Sequence, residues 1–487
     1  MLDVKRARLS NCGDLALSSW LITMGVTARS RQPIASGTRC RVMVPKPEYC
    51  RMDKEDVIFV GVCDLAGHMR GKAFPAADLE SRLRRGVGYT GSNIMMSAFG
   101  PIYDSPFGTE GDLALIPDPS TKVDVAFEGF APERFYLADI QTTEGKPWSC
   151  CPRNFLRRSI EDLRHEVGLT IFSAFEQEFV YTGVAERPGT TYGYDAYRHQ
   201  GLFAEALMSA IRRAGAKPDS FLPEYASRQY EVTVAPSAGM RAADEAVIVR
   251  EMARAVAFRL GHRVIFTPVL ELDDVGNGTH IHLSLRDEHG TPVMHDPSRP
   301  YGLSAVAEPF VAGILRHLPA LAALTAPSIV SYYRLRPNRW APTWSNLAYR
   351  DRGASLRVCP VFDAALEDAS HQFHIEFRVC DATASPYMAL GAIVHAGVDG
   401  IRAGMKLDAP PLKKIWDMTD DERRASNLTP LPGSLEQALA VLKADATVCG
   451  WLGPEFLDAY LRLKMSEIAA VRGQSEQAIC SRYAAAY

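Results

Sequence analysis

Carboxylates and histidines stand on alternate residues at several places in this 487-residue sequence. The clearest case is Glu176 and Glu178, which fall in an apolar run of β-forming residues over 170–181. Side chains of a strand alternate between its faces, so these carboxylates are predicted to point the same way, roughly 6–7 Å apart. Each could ligate a different hard cation. Three later segments show the same alternation: Gln229-Tyr-Glu231, His280-Ile-His282-Leu-Ser284 and Glu376-Phe-Arg378.

Four arginines stand among apolar or aromatic neighbours: Arg334, Arg352, Arg357 and Arg378. An unpaired cation is unfavourable in such surroundings, so each arginine needs an anionic partner. Taken singly, each feature has a plainer interpretation, namely a solvated strand face, a core histidine or a structural salt bridge. Together, carboxylates, histidine and arginines are the parts of a site for phosphoryl transfer. The combination therefore predicts metal-assisted handling of phosphate.

Composition argues against several classes of protein. The 54 Lys and Arg residues against 57 Asp and Glu, a net charge of -3, indicate neither a nucleic-acid-binding surface nor an acidic tail. The apolar runs fall short of the roughly 18 residues of a membrane span, so no span is predicted. The ten cysteines include no C-x-x-C pair, which favours the reduced thiols of a cytoplasmic protein over a zinc ribbon or a disulfide scaffold.

Three regions follow from the pattern of strands and helices. Residues 1–54 are basic and rich in Ser, Thr and Pro, which predicts a poorly ordered extension. Residues 55–148 carry mostly strand signals and predict a small α+β domain. Over 149–487, strands alternate with helices, which predicts a large sheet faced by helices. The predicted helices cover 154–167, 200–214, 241–260, 385–405 and 455–482, and the predicted strands cover 170–181, 229–234, 264–269 and 279–285.

The order and wording of the motifs resemble the glutamine synthetase family over residues 56–487. The resemblance is carried by Phe175-Glu-Gln-Glu-Phe179, Gly276-Asn-Gly-Thr-His-Ile-His-Leu-Ser284, Arg334-Leu-Arg-Pro337 with Ala341-Pro342, Tyr349-Arg-Asp-Arg-Gly-Ala-Ser-Leu-Arg-Val358, Ile375-Glu-Phe-Arg-Val-Cys-Asp381 and Ser385-Pro-Tyr-Met-Ala-Leu-Gly-Ala-Ile-Val-His-Ala-Gly-Val-Asp-Gly-Ile401. It implies an α+β fold, with a small N-terminal β-grasp domain before a catalytic domain built on a curved sheet, or half-barrel, with helices. It also implies a homo-oligomeric ring, a dodecamer, with active sites between neighbouring subunits.

The resemblance also implies roles for single residues. One Mg²⁺ or Mn²⁺ is assigned to Glu178, Glu224 and Glu231, and a second to Glu176, His280 and Glu376. Gly276 and Arg334 are assigned to the glutamate site, Arg378, Arg352 and Arg357 to the γ-carboxylate and the ATP phosphates, and His282 and Ser284 to the nucleotide side. In the implied reaction, ATP phosphorylates the γ-carboxylate of glutamate and an amine then displaces phosphate.

Two positions depart from the ammonia-using enzymes of this family. Those enzymes form a negatively charged ammonium pocket with an aspartate of the first domain and a glutamate just before the Ala-Pro pair. Here the two positions are Thr90 and Trp340. Neither side chain can attract ammonium and remove its proton, whereas Trp340 offers bulk and a π-face to an organic amine. The sequence therefore predicts an ATP-dependent ligase that joins glutamate to an amine other than ammonia.

Three substitutions leave both substrates open at this point. Trp340 could merely fill space, Val275 replaces an asparagine near the glutamate site, and Arg228 replaces a glycine between metal ligands, so the acyl substrate is not fixed. A true glutamine synthetase with an unusual ammonium site is one alternative. A non-catalytic scaffold is another, although six retained ligands whose mutual repulsion needs cations argue against it.

Overall fold

The computed structural model describes residues 54–108, 111–186, 191–362, 369–410 and 413–487. Residues 55–487 form one compact unit. The predicted extension over 1–54 lies, apart from Lys54, outside the described residues. Within the described ranges, no helix is both long and apolar enough to cross a membrane. The seven cysteines in those ranges are all unpaired thiols.

The first part of the unit is a six-stranded sheet with one short helix. Its elements are β1 (Val57–Cys63), β2 (Met69–Pro75), α1 (Leu79–Arg85), β3 (Val87–Thr90), β4 (Asp112–Pro117), β5 (Val123–Val125) and β6 (Glu133–Thr142). The strand order is β2-β1-β6-β4-β3, and β5 also pairs with β6. Alternate apolar residues such as Val60 and Val62 of β1 are buried, which is the period of a strand with one face in the core.

Two further sheets form a barrel-like wall. Their strands are β7 (Thr170–Phe175), β8 (Gln177–Tyr181), β9 (Pro218–Pro223), β10 (Gln229–Val234), β11 (Ser237–Ala238), β12 (Val264–Ile265) and β13 (Ile281–Arg286), with β15 (Leu347–Tyr349), β16 (Leu356–Val358) and β17 (Ile375–Phe377); β14 (Trp344–Ser345) and β18 (Thr429–Pro430) form a separate pair. One sheet has the order β12-β8-β10-β9 and the other β11-β7-β13-β17-β16-β15. The chain passes between the two sheets at β7–β8 and again at β10–β11.

Helices cover these sheets and make up most of the C-terminal part, as predicted. They are α2 (Pro152–Val167), α3 (Tyr194–Arg213), α4 (Met240–Arg259), α5 (Ala307–Thr325), α6 (Ser331–Arg334), α7 (Ala369–Gln372), α8 (Pro386–Arg402), α9 (Asp420–Ala425), α10 (Leu435–Ala444), α11 (Ala446–Leu452), α12 (Pro454–Ala470) and α13 (Glu476–Ala486). Helix α8 packs against α2, α4 and α5. Pro152 opens α2 and Gly168, in a left-handed conformation, ends it.

The predicted strand over 170–181 is wrong in one respect that matters for the site. The chain forms two strands with a break at Glu176, and these belong to different sheets. Glu176 and Glu178 are therefore not neighbours on one face of a single strand. Elsewhere, the strand predicted over 264–269 is only Val264–Ile265, and the helix predicted over 455–482 is two helices separated near Gly473, whose φ is 81°.

Candidate active site

Three of the predicted carboxylate ligands meet around one nitrogen of His280. Its Nδ1 lies 2.9 Å from Oε2 of Glu176, and 3.6 Å from both Oε1 of Glu178 and Oε1 of Glu376. The backbone sets this geometry, because the amide of Glu176 donates to the carbonyl of His280 (2.9 Å) where β7 ends. The break in the strand thus turns both carboxylates toward the same imidazole.

Glu178 and Glu231 face each other across the β8–β10 pair. Oε2 of Glu178 accepts hydrogen bonds from the amide of Gly278 (2.8 Å) and from Nε2 of Gln229 (3.2 Å). Gln229 also donates to the carbonyl of Gly276 at 3.0 Å. Gln229, which was not predicted as a site residue, therefore positions Glu178. Glu224 follows β9 at the edge of this cluster.

The carboxylates of the cluster repel one another. Burial, and then Glu176, Glu178 and Glu224, raise the pKa of Glu231 well above its usual value. Burial and the charge of Glu178 raise the pKa of Glu224 to about 7. For Glu176, burial disfavours the charged form, but His282 and His280 outweigh burial and hold its pKa well below the usual value. Divalent cations would offset this repulsion.

Two sets of donors lie close enough to share a metal ion. Glu176, Glu231 and His280 offer ligand atoms within 4.8 Å of one another, and so do Glu176, His282 and Glu376. Sets rich in carboxylate oxygen suit hard divalent cations, so the residues fit such ions. Glu176 belongs to both sets. This grouping differs from the predicted division, in which Glu231 and Glu176 serve different ions.

Arginines enclose the same cluster from the side of β16 and β17. Arg357 and Arg378 each donate through Nη1 to the carboxylate of Glu376, which is 1% exposed. Burial opposes ionisation of Glu376, but Arg378 and His280 hold its pKa at about 2. Arg352 is exposed, and its charge acts on Glu224. Two buried guanidinium groups thus share one carboxylate, and each guanidinium keeps further N–H donors.

Arg334 and Gly276 fit together closely. The buried Arg334 donates through Nη2 to the carbonyls of Val379 (2.6 Å) and Cys380 (2.9 Å). A Cβ atom on Gly276 would lie 2.7 Å from Cγ of Arg334 and 2.3 Å from the carbonyl oxygen of Pro268. Glycine is therefore required at position 276 for this approach.

Three buried guanidinium groups keep an unused donor. Within the described ranges, the Nε atoms of Arg334, Arg357 and Arg378 are buried without a hydrogen-bond partner. A charged donor in this state is strongly unfavourable. Because Arg357 and Arg378 also contact the carboxylate cluster, carboxylate or phosphoryl oxygens of a ligand would be suitable acceptors for these donors.

Aromatic rings surround Glu224. Its Oε2 accepts from the hydroxyl of Tyr192 (3.2 Å) and from the amide of Tyr225 (3.0 Å). Trp340, 62% exposed, lies against Tyr225 with ring centroids 5.3 Å apart. The backbone of Trp340 is left-handed (φ 52°), which is unusual for a bulky residue. The neighbouring Arg339 donates to the carbonyls of Leu272 and Asp274, which holds this loop in place.

The remaining predicted residues lie in different surroundings. Thr90 ends β3 in the first sheet, where it pairs with Asp112 of β4. His282 and Ser284 alternate along β13, and Nε2 of His282 lies 2.7 Å from Oε1 of Glu176. Arg228 has a φ of 63°, a conformation that favours glycine, and it pairs with Glu186 at 2.8 Å. Val275 is half-buried beside Gly276.

Sequence reasoning missed Cys359 and His374. The amide of Cys359 donates to the carbonyl of His374 (3.1 Å), two residues along from the pair formed by Arg357 and Glu376 on β16 and β17. Hydrogen bonds from His282 and His374 outweigh burial and lower the pKa of the Cys359 thiol to about 7. The same alternation that drew attention to Glu376 would have found both residues.

Comparisons with known proteins place the chain in a family. Residues 149–483 match the catalytic domain of glutamine synthetase, and residues 43–148 match the glutamine synthetase N-terminal domain. The chain is 33% identical over 449 residues to a gamma-glutamylpolyamine synthetase of Streptomyces coelicolor, with 88% of this chain and 92% of that protein covered. It is 32% identical over 424 residues to a glutamine synthetase of Thermococcus kodakarensis, covering 85% and 88%.

Solved structures agree with this assignment. A crystal structure of a glutamine synthase homolog has a TM-score of 0.83 at 38% identity, covering 90% of this chain and 100% of that one. The GmaS–ADP complex has a TM-score of 0.74 at 25% identity, covering 86% and 95%. The chain belongs to the glutamine synthetase family, whose members are ATP-dependent ligases that use divalent cations, as its motifs predict. The predicted fold, an N-terminal domain before a catalytic domain, is confirmed.

Proposed function

We propose that this chain joins the γ-carboxylate of glutamate to an organic amine rather than to ammonia, with conversion of ATP to ADP and phosphate. The observation that carries the proposal is the contact between Trp340 and Tyr225 beside Glu224. Aromatic faces next to a carboxylate suit a cationic amine that carries an apolar substituent. Trp340 stands where the ammonia-using enzymes place an acid, so the anionic pocket that ammonium needs is weakened here.

In this proposal the remaining site residues keep the roles that the family resemblance assigns. One ion, Mg²⁺ or Mn²⁺, is held by Glu178, Glu224 and Glu231, and a second by Glu176, His280 and Glu376. When bound, such ions offset charge on the transferring phosphoryl group. Arg334 and Gly276 bind glutamate. The γ-carboxylate and the ATP phosphates are bound by Arg352, Arg357 and Arg378. His282 and Ser284 face the nucleotide. The unused Nε donors of three of these arginines support the assignment of anionic ligands.

We further propose that Thr90 completes the amine pocket of a neighbouring subunit in a homo-oligomeric ring. Within one chain Thr90 lies on the first sheet, whereas Trp340 lies against Tyr225, the residue that follows Glu224. Light scattering of the purified protein should give the mass of a ring, a dodecamer by family resemblance. A monomer that is fully active would contradict this part of the proposal.

The direct test is phosphate release from ATP in the presence of glutamate, Mg²⁺ or Mn²⁺, and one amine at a time. The panel contains ammonium, alkylamines, aromatic amines, ethanolamine and polyamines, and mass spectrometry identifies each product. An organic amine is expected to give the highest kcat/KM. The relative named for polyamines supports this class of substrate, while the relatives named glutamine synthetase keep ammonia as the second candidate. Ammonium as the best nucleophile would overturn the amine proposal, and a chain that neither binds ATP nor turns over would be a scaffold.

A further inference from the structure

Two imidazoles and one thiol meet on the inner face of the sheet formed by β13, β17 and β16. His282, Cys359 and His374 offer ligand atoms that lie within 4.8 Å of one another. The rings of the two histidines are 5.0 Å apart. Register explains the meeting, because His282 pairs with Glu376 across β13–β17, and Cys359 contacts His374 two residues further along, just past the β16–β17 pairs. The roles assigned above do not use Cys359 or His374, whereas His282 is also assigned to the nucleotide side.

In each histidine one nitrogen contacts a carbonyl or a carboxylate, and the ring also hydrogen-bonds the thiol of Cys359 in the metal-free chain. Nδ1 of His374 donates to the carbonyl of Gln372 at 2.6 Å, which leaves the Nε2 lone pair. Nε2 of His282 lies 2.7 Å from Oε1 of Glu176, so Nδ1 is the nitrogen that would bind a metal ion, once it has lost any proton it carries. Metal-binding histidines are held in this way, with the second nitrogen donating to a carbonyl or a carboxylate.

We propose that His282, Cys359 and His374 form a binding site for Zn²⁺, separate in chemistry from the carboxylate sites for hard cations. Thiolate and imidazole favour zinc over magnesium or calcium. A tetrahedral zinc ion places its ligand atoms roughly 3.3–3.8 Å apart, so small side-chain adjustments bring the three atoms into range. Three protein ligands leave the fourth position to water. Binding releases the thiol proton to solvent as the zinc–sulfur bond forms.

Glu376 is a poor candidate for the fourth ligand. Its Oε2 lies 3.9 Å from Sγ of Cys359, but in the proposed function Glu376 ligates the second hard cation. Glu176 couples the zinc site to the carboxylate cluster, because it accepts from His282 and also faces His280. The alternative is a thiol–imidazole hydrogen-bond network without metal, and only a metal-binding measurement separates the two.

The test is titration of the metal-free full chain with Co²⁺ in excess Mg²⁺, followed by absorbance. A near-ultraviolet thiolate-to-cobalt charge-transfer band, saturating at one equivalent per chain and bleached by Zn²⁺, is expected for the wild type. Cys359→Ser should abolish the band. His374→Gln should weaken Co²⁺ and Zn²⁺ binding at least about tenfold, because even the loss of a residue that only orients a metal ligand lowers metal affinity by about that factor.

The matched control is Cys449→Ser, because this thiol lies in α11 and donates to the carbonyl of Leu442 instead. It should keep the band and the affinity. No band in the wild type, or a band that persists in Cys359→Ser, would overturn the proposal. If circular dichroism shows that Cys359→Ser does not fold, His374→Gln decides, and unchanged affinity in that variant also overturns it.

Discussion

The indole of Trp340 and the phenol ring of Tyr225 lie against each other with their centroids 5.3 Å apart and their planes tilted by 47°. The amide of Tyr225 at the same time donates to the carboxylate of Glu224 at 3.0 Å. The exposed aromatic surface and the candidate metal ligand are therefore one structural unit.

Removing the indole should lower activity with the organic amine selectively. A cation–π contact is worth about 0.5–2 kcal/mol, so Trp340→Ala should reduce kcat/KM for the preferred amine by about tenfold and leave the KM for ATP unchanged. Initial rates of phosphate release with two amines measure this. Trp340→Glu combined with Thr90→Asp should gain activity with ammonium.

Phe258→Ala is the control for loss of an exposed aromatic ring, because this side chain is 74% exposed near the end of α4. It should retain the wild-type order of amines. If Trp340→Ala slows all amines and ammonium equally, the indole has a structural role and the amine pocket lies elsewhere.

Replacing one carboxylate of the cluster should leave the stability of the metal-free protein nearly unchanged but reduce the stabilisation that a bound cation provides. Burial and like charges favour the protonated form of Glu231, so Glu231→Gln should change the metal-free stability by less than about 1 kcal/mol. The wild type should gain about 2.7 kcal/mol at a cation concentration 100 times Kd, and the variant should lose most of this gain. Melting temperatures with chelator and with Mn²⁺ measure both. The control is Glu205→Gln, on the exposed face of α3, which should behave as wild type. If Mn²⁺ raises the melting temperature of Glu231→Gln as much as that of the wild type, Glu231 is not a metal ligand.

The sequence predicted correctly that several of the site residues lie close together, but it did not predict the strand arrangement that brings them together. Periodicity placed Glu176 and Glu178 on one strand, but the chain breaks between β7 and β8 because it passes from one sheet to the other. A period of two cannot reveal such a passage, since both strands continue the same apolar run. The long helices were more predictable: α2, for example, has a proline at its start and a glycine at its end.

Contacts between distant segments were beyond sequence reasoning. Tyr225 and Trp340 are far apart in the chain, and neither carries a pattern that links them. Cys359 directly follows β16 and His374 directly precedes β17, and the pairing of these strands is set by tertiary structure, so the approach of both residues to His282 required the register of β13, β17 and β16. The family resemblance supplied the roles of single residues, but positions where this chain differs had to be located in the fold.

Adding one methyl group beside Arg334 should weaken glutamate binding. In Gly276→Ala the new Cβ would meet Cγ of Arg334 at 2.7 Å and the carbonyl of Pro268 at 2.3 Å, so the guanidinium must move. The KM for glutamate should rise at least about tenfold, as small misplacements of binding groups do, with ATP affinity unchanged by calorimetry. Gly201→Ala is the control, because a Cβ there meets no atom within 4 Å. An unchanged KM for glutamate would remove Gly276 and Arg334 from the glutamate site.

The buried His395 and the half-buried His68 should make the protein sensitive to mild acid. Burial is the main cause that lowers the pKa of each histidine from 6.5 to about 3. The charges of Arg254 and Arg70 add to it for His68. Those of Arg158 and Arg402 add to it for His395. The unfolded chain therefore binds protons first as the pH falls below about 6.5, and the free energy of unfolding falls with it down to about pH 3. The slope is about 1.4 kcal/mol per pH unit for each histidine, or about 2 kcal/mol each at pH 5.

His395→Phe keeps a ring against Trp451, which stacks on His395 at 5.4 Å, but removes the proton-binding group. Denaturant unfolding at pH 7.5 and pH 5 should show that the variant loses about 2 kcal/mol less than the wild type between the two values. His68→Phe, which retains the stacking on Tyr487, should do the same, and the double variant should add the two effects because the sites share no partner. His289→Gln, at a side chain 79% exposed, should follow the wild-type curve. Parallel curves for wild type and both phenylalanine variants would show that neither histidine is held neutral by the fold.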